Sequence, residues 1–138
     1  TIRLGAARGR VLSDGWGDGA LSVNDRSLVL RFDVPTEAGD RRALLTGDIQ
    51  ASAMRRLEPE SIRAEIIELP HHGSAHETAV GFVGATGARV VLQSTGASRS
   101  GDPRWDSVRE GRVWLETSAH ASVWAEVRRD GSIRAGAG

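Results

Sequence analysis

Cysteine and lysine are both absent from this chain of 138 residues. Without Cys there can be neither disulfides nor thiolate metal sites. All 18 cationic side chains are Arg. Arg suits bidentate phosphate recognition, but a complete loss of Lys reads first as a coding bias of the source. Neither sign of charge is in excess, because 18 Arg balance 18 Asp plus Glu, which excludes a global field drawing the chain to nucleic acid or an anionic membrane. No apolar run approaches the roughly 20 residues of a membrane-spanning helix, and no secretory signal is visible. An initiating Met is missing too, since the chain opens on Thr1, as expected of a processed product or a fragment of something longer. The length suits a single domain, residues 1–138, with a real core and no room for a second.

The most informative stretch runs from Ile66 to Thr78 and places His71, His72 and His76 directly after an apolar run. The apolar residues read as a buried strand. Pro70 stops the ladder because it has no N–H to donate, and Gly73 lets the backbone turn. A His pair is thus delivered to the carboxyl end of a strand. Arg42 to Asp48 repeats the design, a short apolar strand that stops at Gly47 and presents one carboxylate, Asp48. The Asp and the His pair are expected to face one site.

Along the chain, Gly9 to Ser13 suggests a short strand and Asp14 to Gly19 a glycine-rich turn. Arg26 to Asp33 alternates, with Leu28, Leu30 and Phe32 on one face, and Arg41 to Thr46 returns as the second arm of a hairpin. After Asp48 the period changes. Ile49, Ala53 and Leu57 recur at i, i+4 and i+8, the mark of a helix of about two to three turns that Pro59 ends. Ala64 to Leu69 is the strand into the His loop, and Ala79, Phe82 and Val83 mark a second helix closed near Gly84 and Gly87. The unbroken run Val90, Val91, Leu92 predicts a strand covered on both faces. Further on, Pro103 to Arg109 suggests a short helix. Arg112 to Thr117 and Ser122 to Val127 are expected to pair as a hairpin, with Trp114 and Trp124 in cross-strand contact. Gly131 to Gly138 reads as a loose end.

A hydrolytic metal centre needs neutral imidazoles and carboxylates converging on one or two divalent cations, and a carboxylate can bridge two metals that flank the attacking water. Asp48, His71 and His72 are suitable types. Adjacent histidines on an extended backbone point apart, so one is expected to ligate metal and the other to hold substrate phosphate, protonate a leaving group or orient its neighbour. The tips of Asp48 and His72 are expected within about 4 to 6 Å of each other. A plainer reading of Asp48 stays open, because Gly-Asp after a strand is often an N-cap that accepts from the first N–H groups of the next helix.

Four ordered motifs carry a family resemblance: Asn24-Asp25-Arg26-Ser27-Leu28-Val29-Leu30, Leu44-Leu45-Thr46-Gly47-Asp48-Ile49, Leu69-Pro70-His71-His72-Gly73-Ser74 and Val91-Leu92-Gln93-Ser94-Thr95-Gly96. Together they resemble the metallo-β-lactamase-fold domain at the C-terminal end of ComEC, the DNA-uptake channel of natural competence. The resemblance spans nearly the whole chain. It implies an α/β fold in which the chain is the C-terminal portion, the second half, of a metallo-β-lactamase αββα sandwich: a mixed sheet with flanking helices. It implies that Asp48 bridges a two-metal site, that His72 is another metal ligand, and that His71 and Ser74 contact the phosphate. The complete domain would be a metal-dependent hydrolase, a phosphodiesterase or nuclease using two divalent ions, Zn²⁺ or Mn²⁺, on DNA during uptake. It would be a soluble domain attached to a parent membrane channel protein.

Two departures from the family pattern shape the expectation. The superfamily's main ligand cluster, His-x-His-x-Asp-His, belongs to the N-terminal half of the fold, and nothing like it precedes Asp48. Ser100-Gly101-Asp102-Pro103 stands where ComEC-like domains often carry Gly-His-Pro, which leaves Asp102 as the candidate for a metal or a water there. Of Asp48, His71, His72, His76 and Asp102, only two or three are expected to converge. The chain alone is therefore expected to bind metal weakly, to lack nuclease activity, and to expose apolar surface where the missing N-terminal half would pack. Two other readings stand beside this one: a metallo-hydrolase of the same fold acting on another ester or a lactam, and a metal-free module that binds a partner or DNA.

Overall fold

A computed structural model describes residues 2–4, 6–13 and 21–138. The turn expected over Asp14 to Gly19 lies outside the described residues. Among the described residues, seven strands form one sheet in sequential order: β1 (Ile2–Leu4), β2 (Ala7–Val11), β3 (Leu30–Val34), β4 (Arg41–Leu45), β5 (Ile66–Glu68), β6 (Val90–Gln93) and β7 (Val113–Glu116). Neighbours from β1 to β4 are antiparallel and neighbours from β4 to β7 are parallel, so the sheet is mixed. Parallel neighbours need crossover connections. These contain α1 (Ala51–Met54), α2 (Glu77–Thr86) and α3 (Asp106–Arg109) in turn. The α/β class, with a mixed sheet and flanking helices, follows the alternation in the sequence.

One register row carries Arg31, Leu44, Ile67, Val91 and Trp114 across β3 to β7. Leu44, Ile67 and Val91 are fully buried at 0% exposure. Ala53 and Met54 of α1, Phe82 and Val83 of α2, and Val108 of α3 join them in one apolar cluster with Trp105. Burying each large apolar side chain there contributes on the order of 1.5–3 kcal/mol. Among the described residues no helix is long and apolar enough to cross a membrane.

Four local expectations need correction. The strand read over Arg26 to Asp33 is shorter, and Leu28 lies outside it. That strand begins only at Leu30, because Asn24–Arg26 wind into a 3-10 turn, and its two buried residues are Arg31 and Asp33. They share the helix-covered side with Leu44, and their charges are matched. Arg31 Nε lies 3.1 Å from Asp33 Oδ1, Arg10 Nε 3.3 Å from Asp33 Oδ2, and Arg31 Nη1 donates to the Ser61 carbonyl at 2.9 Å. Alternation defines two faces of a strand without saying which one points inward.

The helix after Asp48 is also shorter than its apolar spacing suggests. Ile49, Ala53 and Leu57 are all buried, but α1 covers only four residues. Beyond it the bonds tighten to i→i−3, with Arg56 N donating to the Ala53 carbonyl and Leu57 N to the Met54 carbonyl, which unwinds the segment before Pro59.

The third and fourth corrections concern the C-terminal region. β7 pairs with β6 rather than with the strand that follows it. That strand, β8 (Val123–Val127), pairs with β9 (Ile133–Ala137), so the expected loose end is a strand. Trp114 consequently meets Trp105, with ring centroids 5.7 Å apart, and Arg109 stacks 4.8 Å from its ring centre. Trp124 instead lies over Gly136, where an added Cβ would fall 2.8 Å from the indole. The small sheet contacts the large one through β8 against β6 and β9 against β7.

Candidate functional site

The carboxyl ends of parallel strands are where open α/β sheets present their ligand loops. Here β4 ends in Thr46-Gly47-Asp48. Thr46 Oγ1 donates to the Glu68 carbonyl at 2.9 Å, Gly47 turns with φ +56°, and Asp48 N donates to Ser27 Oγ at 3.1 Å. The loop after β5 is sewn to this turn, because His71 N donates to the Gly47 carbonyl at 3.0 Å. His71 and His72 then adopt left-handed backbone, φ 49° and 55°, and are the positive-φ residues other than Gly among the described residues. Such a conformation costs roughly 1–2 kcal/mol per residue and persists where the surroundings enforce it.

That backbone brings His72 Nε2 to 3.3 Å from Asp48 Oδ1. The other ring nitrogen, Nδ1, lies 2.9 Å from the Ser94 carbonyl. A carbonyl only accepts, so Nδ1 carries the hydrogen, and in the neutral ring Nε2 presents its lone pair to a carboxylate. Two acceptors at that distance call for a proton or a cation between them. Ligands at about 2.0–2.2 Å around a tetrahedral cation stand about 3.3–3.6 Å apart, so Asp48 and His72 fit as two ligands of one divalent ion. The Nδ1–H to carbonyl bond is the partner that commonly orients a ligating His. The pair is tighter than the separation expected from the sequence.

Asp48 is free for this role because another residue caps α1. Asp25, 3% exposed, accepts from Gln50 N at 2.7 Å and from Ala53 N at 3.2 Å through Oδ1, and Ser22 Oγ donates to its Oδ2 at 3.0 Å. The N-cap reading of Asp48 is therefore overturned. Nothing in local spacing points to Asp25, which caps from 25 residues before Gln50.

The remaining candidates separate. His71 is held between carboxamides, its Nε2 3.4 Å from Asn24 Nδ2 and its Nδ1 3.2 Å from Gln50 Nε2. Both contacting atoms are amide nitrogens and a neutral ring accepts at one nitrogen only, so the second contact becomes a hydrogen bond when that carboxamide turns its oxygen to the ring. Both ring nitrogens are thus engaged, which leaves His72 as the ligand of the pair. Ser74 N donates to the His71 carbonyl at 3.0 Å, which fixes Ser74 at the exit of the His loop. His76 leaves the site to cap α2, where its Nδ1 accepts from Ala79 N at 3.2 Å. Burial, with the nearby Arg55 charge, lowers its pKa. Asp102 turns to Arg104, accepting from its backbone N at 3.0 Å and pairing with its guanidinium at 2.6 Å. That partner holds Asp102 below the usual carboxylate pKa. Among the described residues no third His, Cys, Asp or Glu completes a metal cluster with Asp48 and His72.

Gln93 and Trp105, which the sequence did not single out, support the loop from behind. Gly73, at φ +81°, would place a Cβ 2.2 Å from Gln93 Nε2, and its carbonyl accepts from Trp105 Nε1 at 3.1 Å. Gln93 and Trp105 are both 0% exposed. A larger residue at 73 therefore disturbs the core together with the site. The chain matches no protein family, no curated protein and no solved structure. Its functional reading rests on the site.

Proposed function

We propose that this chain is the C-terminal portion of a metallo-β-lactamase-type, metal-dependent hydrolase domain of the ComEC kind, which in complete form cleaves phosphodiester bonds of DNA during uptake. The observation that carries the reading is the Asp48–His72 pair, two acceptors 3.3 Å apart with the imidazole turned by the Ser94 carbonyl. Asp48 and His72 are the residues of this chain that would hold metal, Zn²⁺ or Mn²⁺. A divalent ion held there would activate water and polarise a phosphoryl oxygen. Ser27 and Ser94 orient the two ligands. His71, clamped by Asn24 and Gln50, borders the site, and with Ser74 it is assigned to the phosphate side.

Two ligands are fewer than the three or so protein ligands usual for a catalytic zinc. The reading therefore assigns the rest of a two-metal site to an N-terminal half of the domain, and the whole to a parent membrane channel protein. The test is cleavage of plasmid and single-stranded DNA with Mn²⁺ or Zn²⁺ by this chain and by a version extended upstream in the source. Cleavage is expected only from the extended version, and Asp48→Ala is expected to abolish it. Cleavage that survives Asp48→Ala would overturn the ligand assignment. An extended protein that hydrolyses other esters or a lactam but not DNA would move the substrate class, and one that takes up no metal would make the fold a binding module.

A further inference from the structure

A cleft of about 470 Å³ opens beside His72 and is walled by Thr95, Gly96, Ser98, Arg99 and Thr117. Its size lies within the range of roughly 300–1,000 Å³ common for small-ligand sites. The chemistry of its wall is one-sided: hydroxyls, backbone, one guanidinium and the His72 imidazole at its edge, with neither a carboxylate nor a Phe, Tyr or Trp ring among the lining residues.

The wall is also fixed in place. Arg99 Nη1 donates to the His71 carbonyl at 2.7 Å, and the Arg99 carbonyl accepts from Gln93 Nε2 at 3.3 Å. A guanidinium has five N–H donors, so this tether leaves others for a ligand. Thr117 Oγ1 accepts from Thr95 N at 2.8 Å and donates to the Thr95 carbonyl at 3.0 Å, which locks the opposite side.

We propose that this cleft is a phosphate site that takes one backbone phosphate of a phosphodiester chain beside the Asp48–His72 pair, without reading the bases. The assignment rests on the phosphodiesterase reading above and adds where the substrate sits. A tethered Arg with hydroxyl donors suits a phosphate. Without a Phe, Tyr or Trp ring, and with the one imidazole tied to Asp48 and the Ser94 carbonyl, the wall lacks the stacking platform on which many single-strand binders rely, so contact is to the backbone.

The experiment is an amide NMR titration of the ¹⁵N-labelled chain in metal-depleted buffer with three probes: a thymidine tetranucleotide, its uncharged methylphosphonate analogue, and inorganic phosphate. The tetranucleotide is expected to shift Thr95, Ser98 and Arg99 saturably, and the analogue is expected to leave them in place. Arg99→Gln is expected to weaken binding about tenfold, and Ser98→Ala, at an exposed position, roughly fivefold. The Ser98 variant carries the test if loss of the Arg99 tether unfolds the loop. Equal shifts with the analogue, tighter binding of inorganic phosphate than of the tetranucleotide, unmoved amides, or parental affinity in Ser98→Ala would each overturn the proposal. Because no metal is present, saturable binding here alongside a failure of Asp48 and His72 to take up metal would keep the phosphate site and remove the hydrolase reading.

Discussion

His71 and His72 sit side by side in left-handed backbone, where a Cβ is penalised and Gly is at ease. In ordinary helix or strand positions Gly is less stable than Ala. At position 72 the order is expected to invert, with His72→Gly about 1 kcal/mol more stable than His72→Ala. Urea midpoints of the two variants decide it. Ala equal to or better than Gly would mean that the backbone at 72 is unstrained. That Asp48 and His72 lie side by side was legible because each follows an apolar run and a strand breaker, which local spacing reveals. The capping carboxylate of Asp25 and the amide clamp of Asn24 and Gln50 were not, since they act across long sequence separations that periodicity does not record.

Among the elements, α2 shows how a histidine from a suspected metal motif serves a helix instead. His76 caps α2 only while Nδ1 keeps its lone pair for the Ala79 N–H. Its pKa is lowered in the folded state, by burial first and then by Arg55. The folded chain thus resists protonation there more than the unfolded chain does. The cap's contribution is complete above the ordinary value of about 6.5 and is lost as pH falls through the lowered folded value. Between about pH 7.5 and 5.5 the parent is expected to lose more stability than His76→Asn, which caps without titrating. Parallel falls in the two urea midpoints would show that His76 is not the titrating cap. Helix α2 itself was readable from Ala79, Phe82 and Val83, all of them buried. The partner of β7 was not. A short alternating strand pairs wherever an edge and a buried face coincide, and β6 offers Val91 opposite Trp114, which then packs on Trp105.

At the scale of the whole molecule, the parallel half of the sheet aims three strand ends at one place: Asp48 after β4, the histidines after β5, and the Ser94 to Arg99 loop after β6. That arrangement was foreseeable because strands alternating with helices impose it. On the proposed function, Asp48 and His72 together accept a divalent cation while His71 and His76 do not. That claim is tested most directly by titrating Zn²⁺ into the ¹⁵N-histidine-labelled chain and following the ring nitrogens. His72 Nε2 alone is expected to move to a metal-bound position, weakly and at one equivalent, and the response is expected to disappear in Asp48→Asn. A His72 signal that ignores Zn²⁺, or a response unchanged in Asp48→Asn, would contradict the claim.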